Sequence, residues 1–189
     1  MTPYLSNIDQ VIKNLKENQT FSSNIEYWDH IHSTKGNSEP IKNIHPILEK
    51  SLSILGINHL YSHQIEAINA INQGLNVVIV TGTASGKSLC YQIPILQSIL
   101  EKGFPTALLL FPTKALTYDQ LRAIKGLEKL LFPEAELSAV YDGDTPSGQR
   151  ALIRKNTKIL LTNPDMLNIA LLPFHTNWRD FFSNLKYIV

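Results

Sequence analysis

The stretch "VIVTGTASGKSLCYQIPIL", residues 78–96, sets a Gly-Lys-Ser between a short β-branched apolar run and a run with helical spacing. A loop that wraps an anion needs small residues, so that consecutive backbone N–H groups can converge on it. A helix that follows adds its free N–H groups and positive dipole end. Gly82, Ala84, Ser85 and Gly86 meet the size requirement, with Thr83 among them. Lys87 would reach the β- and γ-phosphates as the catalytic cation, and the Ser88 hydroxyl would ligate magnesium. Thr81 stands where the usual eight-residue pattern has glycine. That position joins strand to loop, and a non-glycine residue fits if its backbone stays in a β-type conformation. A nucleotide-binding strand–loop–helix is expected; the alternative is an ordinary glycine-rich turn with a surface lysine.

The chain around this junction alternates short apolar strands with helices. "SHQIEAINAINQG" predicts a helix with Ser62 as N-cap, Ile65, Ile68 and Ile71 inward and Gly74 past its end. "NVVIV", "TALLLF", "LSAVY", "KILLT" and "KYIV" read as five strands. Helices are expected over "KSLCYQIPILQSIL", "LTYDQLRAIKGLEKLL", "RALIRK" and onward from Pro164, with a kink at Pro94. Fully apolar strands separated by helices predict an α/β fold with a mostly parallel sheet covered on both faces. Residues 1–55 read as an accessory leader with two short helices, "NIDQVIKNLKEN" and "HPILEKSLSILG", the second with Pro46 in its first turn. The main domain is expected over 56–189.

With 189 residues, 43% hydrophobic and 17% charged, the chain has the composition of one globular domain. Its formal net charge of +1 means that any nucleic-acid contact must be local. The single cysteine, Cys90, excludes an internal disulfide and a cysteine-based zinc site, and its place on an apolar helix face predicts a buried filler. Six histidines are scattered without metal-ligand spacing. The N-terminus has no secretory pattern, and no apolar run approaches the ~20 residues of a membrane helix, so a cytoplasmic location without membrane contact is expected.

Five segments in order, "LYSHQ", "TGTASGKS", "PTKAL", "YDGDT" and "TNPDML", resemble motifs of the first RecA-like domain of superfamily-two DEAD/DEAH-type helicases. The run "TGTASGKSLCY…P", with "LLTNPDML" and "LKYIV", is similar to the branch containing the bacterial mitomycin-repair helicase and the yeast RecQ-like helicase. The resemblance spans residues 45–189 and implies ATP, Mg2+ and DNA as ligands. Gln64 matches the glutamine that reads adenine, and Tyr61 could pack on the base. Pro112, Thr113 and Lys114 match the motif that grips the nucleic-acid backbone. Thr162 and Asn163 match a later motif of the same kind, and Gly143 and Thr145 fall in a loop along the strand-binding face.

Phosphoryl transfer also needs an acid at a strand end beside the phosphate loop. Asp142, Asp144 and Asp165 are the candidates in this sequence, and none is convincing by position. The resemblance implies that "LKYIV" would run into an Asp-Glu-x-His tetrad and later a second RecA-like domain with an arginine. The sheet is therefore expected to be incomplete at its C-terminal end. The chain alone is expected to bind ATP weakly and to hydrolyse it no faster than background. A complete small P-loop kinase with "GQRALIRK" as its lid, or a non-catalytic nucleotide- or nucleic-acid-binding fragment, are the alternatives.

Overall fold

The computed structural model describes residues 7–27, 29, 36–102 and 105–189. Two compact units divide the chain, Met1–Lys35 and Gly36–Val189. The first contains helices α1 (Asn7–Glu17) and α2 (Gln19–Ser22). The apolar face expected on α1 is barely used: Ile8 and Val11 are exposed, and only Ile12 and Leu15 are half-buried. His30 and His32 lie outside the described residues.

The second unit opens with strand β1 (Ser38–Pro40), helix α3 (Pro46–Ile54) and strand β2 (His59–Tyr61), with β1 and β2 paired antiparallel. The compact unit thus begins well before the expected boundary at residue 56. The reason is α3, whose Leu48 and Leu52 are fully buried in the same core as Ile93, Leu96 and Leu109. The β1–β2 pair escaped the sequence reading because neither three-residue strand carries an alternating pattern.

Helix α4 (Ser62–Asn72) follows β2 directly, then α5 (Lys87–Lys102), which continues through Pro94. Strand β3 (Thr106–Leu110), helix α6 (Lys114–Leu131), strand β4 (Ser138–Val140), helix α7 (Ser147–Asn156) and strand β5 (Ile159–Thr162) come next. The short helix α8 (Pro164–Met166), a π turn at Leu167–Leu171, helix α9 (Arg179–Ser183) and strand β6 (Leu185–Ile188) end the described chain. Four strands form one parallel sheet in the order β4-β5-β3-β6. Successive side chains of a strand point to opposite faces. Accordingly Ala107, Leu109, Ile159 and Leu161 pack against α3, α5 and α6, while Leu108 and Leu160 pack against Tyr141, Trp178 and Phe181.

The expected strand "NVVIV" is not in this sheet. Residues 76–80 keep a period-two burial pattern, with Val77 and Ile79 half-buried and Val78 and Val80 each 90% exposed, but no ladder holds them. A cavity lined by Leu75, Val77 and Ile79 on one side and Tyr187, Ile188 and Val189 on the other separates this run from β6. A strand exists by pairing, and here the nearest edge is out of hydrogen-bond reach.

Candidate nucleotide and nucleic-acid site

Ligands of open α/β sheets bind outside the carboxyl ends of the strands, where the loops and helix starts converge. All the motif segments of this chain fall there. The loop at 81–88 begins after the unpaired run and ends as the first turn of α5. Ala84 and Gly86 have φ of 56° and 74°, the left-handed backbone that lets adjacent N–H groups turn inward. A Cβ on Gly86 would lie 2.4 Å from Gln64 Nε2, so any larger residue there would have to displace the Gln64 carboxamide as well as adopt the left-handed backbone.

Lys87 folds back over this loop. Its Nζ donates to Gly82 O at 2.6 Å and Thr81 O at 3.0 Å, and approaches Thr81 Oγ1 and Ser85 Oγ at 3.3 Å each. The Thr81 and Ser85 hydroxyls are themselves 2.6 Å apart. Thr81 has no positive φ, so its backbone does not demand glycine, and it adds an oxygen that glycine could not. The ammonium is held by neutral oxygens alone, and no ion pair among the described residues involves it.

Gln64, the third residue of α4, is 2% exposed. Its Oε1 accepts the Tyr61 N–H at 2.8 Å, and its Nε2 donates to Gly86 O at 2.8 Å. The side chain expected to read adenine is thus also the strut between the start of α4 and the phosphate loop. One amide proton and one lone pair remain for a base. His63 Nε2 lies 3.0 Å from Ser85 O, and its ring stacks against Tyr61 at 5.8 Å and 11°. Tyr61, Gln64, Ala84, Gly86 and Leu89 line a single cleft beside the loop. Ser62 is the first helical residue and Tyr61 holds the N-cap position, a shift of one residue from expectation.

Ser88 Oγ donates to Gln120 Oε1 at 2.9 Å, which leaves both hydroxyl lone pairs unspent. That suits the donor set of a hard cation such as magnesium, with Ser88 as one oxygen ligand. Tyr91 Oη donates to the same Gln120 oxygen at 2.6 Å.

The second group of motifs lies at the ends of β3, β4 and β5. Thr113 caps α6 by accepting the Leu116 N–H at 3.3 Å, and Asn163 caps α8 by accepting the Met166 N–H at 2.8 Å. Pro112, Thr113, Lys114 and Gly143 are exposed. Thr162, matched to the later backbone-gripping motif, and Thr145, matched to the strand-binding loop, have internal side chains, at 1% and 8% exposure. Thr162 Oγ1 donates to Tyr141 O at 2.6 Å; Thr145 Oγ1 donates to Asp142 Oδ1 at 3.1 Å and accepts the Asp142 N–H at 2.9 Å. Both hydroxyls build the surface from beneath. Lys114 Nζ contacts Asp144 Oδ2 at 2.5 Å.

Two of the acids weighed for metal binding, Asp142 and Asp144, have other partners. Asp142 is 2% exposed and takes the Asp144 N–H, the Thr145 hydroxyl and the Tyr118 hydroxyl. Burial and the neighbouring Asp142 carboxylate push the Tyr118 phenol above its ordinary range, so it stays a donor. Asp165 sits in the first turn of α8. Arg150, the proposed lid residue of a small kinase, instead donates to Thr145 O at 3.1 Å and Asp142 O at 3.3 Å and lies over the Tyr141 ring. No cluster of three or more His, Cys, Asp or Glu side chains occurs among the described residues. Gln120 and His63 were missed from sequence; Asp142 was weighed there only as a metal-holding acid, although the Asp-x-x-Thr spacing signals a side-chain-closed turn.

A parallel sheet with a phosphate loop, a glutamine-braced cleft and capped helix starts at its strand ends defines a nucleotide-binding domain of the P-loop class. Residues 61–189 match the DEAD/DEAH box helicase family, and the chain belongs to that family. It is 41% identical over 183 residues to the ATP-dependent helicase YprA of Bacillus subtilis (strain 168), covering 96% of this chain and 24% of that protein. It is 40% identical over 190 residues to the ATP-dependent helicase HRQ1 of Saccharomyces cerevisiae, covering 98% and 17%. The crystal structure of the DUF1998 helicase MrfA bound to DNA and AMPPNP superposes with a TM-score of 0.82 at 41% identity, over 95% of this chain and 25% of that one. The chain spans about a quarter or less of the length of these relatives. These relatives match the helicase branch expected from sequence. No helix among the described residues is long and apolar enough to cross a membrane.

Proposed function

We propose that this chain is the nucleotide-binding and nucleic-acid-binding portion of an ATP-dependent DNA helicase. The observation that carries the reading is the braced phosphate loop: left-handed backbone at Ala84 and Gly86, Gln64 pinned to Gly86, and the Lys87 ammonium turned onto loop oxygens. A triphosphate offers Lys87 stronger, charged acceptors in place of those neutral ones. The loop N–H groups and the α5 N-terminus then face the phosphates, Gln64 and Tyr61 face adenine, and Ser88 holds magnesium. Pro112, Thr113, Lys114, Gly143 and Asn163 form a band of caps and one cation for a DNA backbone. MrfA, which shares the fold at 41% identity, binds DNA and AMPPNP, and that supports both ligands here.

Magnesium, where bound, supplies charge neutralisation at the phosphates; the chain's own residues bind and orient. Because Asp142 and Asp144 are engaged in the β4–α7 loop, binding rather than turnover is the activity assigned to this chain. A second RecA-like domain, in the longer polypeptides of the family, would close over the nucleotide, in a cytoplasmic protein working on DNA. The test is equilibrium binding of ATP: saturable, competed by ATP better than by GTP, and lost in Lys87→Ala. Indifference to Lys87→Ala would overturn it.

A further inference from the structure

We infer that Gln120 is a positioning residue that orients the Ser88 hydroxyl toward a divalent cation, an inference that rests on the nucleotide-site reading above. A serine hydroxyl has one proton and two lone pairs, and a cation uses a lone pair. The proton must therefore be held elsewhere, by an acceptor that does not compete for the metal. Gln120 Oε1 is that acceptor, 2.9 Å from Ser88 Oγ.

The same oxygen takes the Tyr91 hydroxyl at 2.6 Å, so both of its lone pairs are filled by hydroxyl donors. In this arrangement the carboxamide oxygen, not its NH2, faces Ser88 and accepts both hydroxyl protons. Ser88 and Tyr91 are one turn apart on α5, so they present to a single acceptor on the facing helix. Residues that hold a metal ligand's second hydrogen-bonding position set its orientation and basicity, and their loss costs roughly 10- to 100-fold in metal affinity. Gln120 also sits on α6, whose first residue is Lys114, so one rigid helix carries both the metal-orienting carboxamide and the cation of the nucleic-acid band.

The test is fluorescence titration of the 189-residue chain with an N-methylanthraniloyl-ATP, once with Mg2+ and once with excess EDTA, with thermal unfolding of each variant as the folding control. Gln120→Met should lower affinity in Mg2+ by about tenfold or more, with affinity in EDTA unchanged. Gln120→Glu keeps an acceptor oxygen and should keep the magnesium enhancement. Ser88→Ala should abolish that enhancement. If Ser88→Ala keeps it, the reading of Ser88 as a metal ligand falls. If Ser88→Ala loses it while Gln120→Met retains it, or if Gln120→Met weakens binding equally in EDTA, the role assigned to Gln120 is overturned.

Discussion

Lys114 Nζ lies 2.5 Å from Asp144 Oδ2, so the cation proposed to grip a nucleic-acid backbone already carries a carboxylate. Both side chains are largely exposed, and the hydrogen bond to Asp144 raises the lysine pKa, so the ammonium is fully charged at any working pH. An exposed pair of this kind contributes little to folding. Its consequence is competitive: a phosphate must displace Asp144 to reach Lys114. Fluorescence anisotropy with a labelled single-stranded oligonucleotide at graded salt reads this directly. Lys114→Ala should weaken binding and flatten the salt slope by about 0.7, one single-strand phosphate contact. Asp144→Asn should tighten binding. An unchanged slope in Lys114→Ala would remove Lys114 from the interface.

Glu128 ties α6 to the start of β4. It is 1% exposed and accepts the Leu137 N–H at 2.8 Å, the Ser138 N–H at 3.0 Å and the Ser138 hydroxyl, with Lys125 at 3.5 Å. Glu128→Ala strands two backbone donors and should cost roughly 2–4 kcal/mol in urea unfolding. A loss under ~0.5 kcal/mol would show that the network adds nothing to stability.

Val78 and Val80 are each 90% exposed beside β6, the edge strand of the sheet. An apolar run next to an open edge invites pairing with another chain. Light scattering should show mass rising with concentration, and Val78→Thr with Val80→Lys should lower it. A concentration-independent monomer in the unsubstituted protein would contradict this.

Cys90 is fully buried, and that burial raises its thiol pKa, against smaller opposing effects from a backbone hydrogen bond and Lys87. The thiol should resist disulfide reagents until the protein unfolds. Because its folded pKa lies above the unfolded one, its contribution to stability is complete below about pH 8.5 and declines as pH rises past that value. Rapid labelling of the folded protein at neutral pH would refute the assignment.

The features legible in the sequence are those that local chemistry specifies. The small residues of 81–88 and the apolar strands at 106–110 and 159–162 each announce themselves within a few positions. The run at 76–80 was read as a strand because β-branched apolar residues favour an extended chain, whereas a strand needs a neighbour in register. Gln120 was invisible because its partners Ser88 and Tyr91 lie on another helix, and only the packing of α5 on α6 brings them together. Thr145 and Thr162 carried the right hydroxyls at the right strand ends, but their burial depended on the Asp142 turn and on Tyr141.

Hydrogen–deuterium exchange of the chain with and without ATP tests the central claim most directly, because it reports on the loop itself. Saturating ATP should slow exchange at residues 82–88 and around Tyr61–Gln64, and Lys87→Ala should abolish that protection while leaving β3 and β5 unaffected. Exchange at 82–88 unchanged by ATP, or protection that survives Lys87→Ala, would contradict the account.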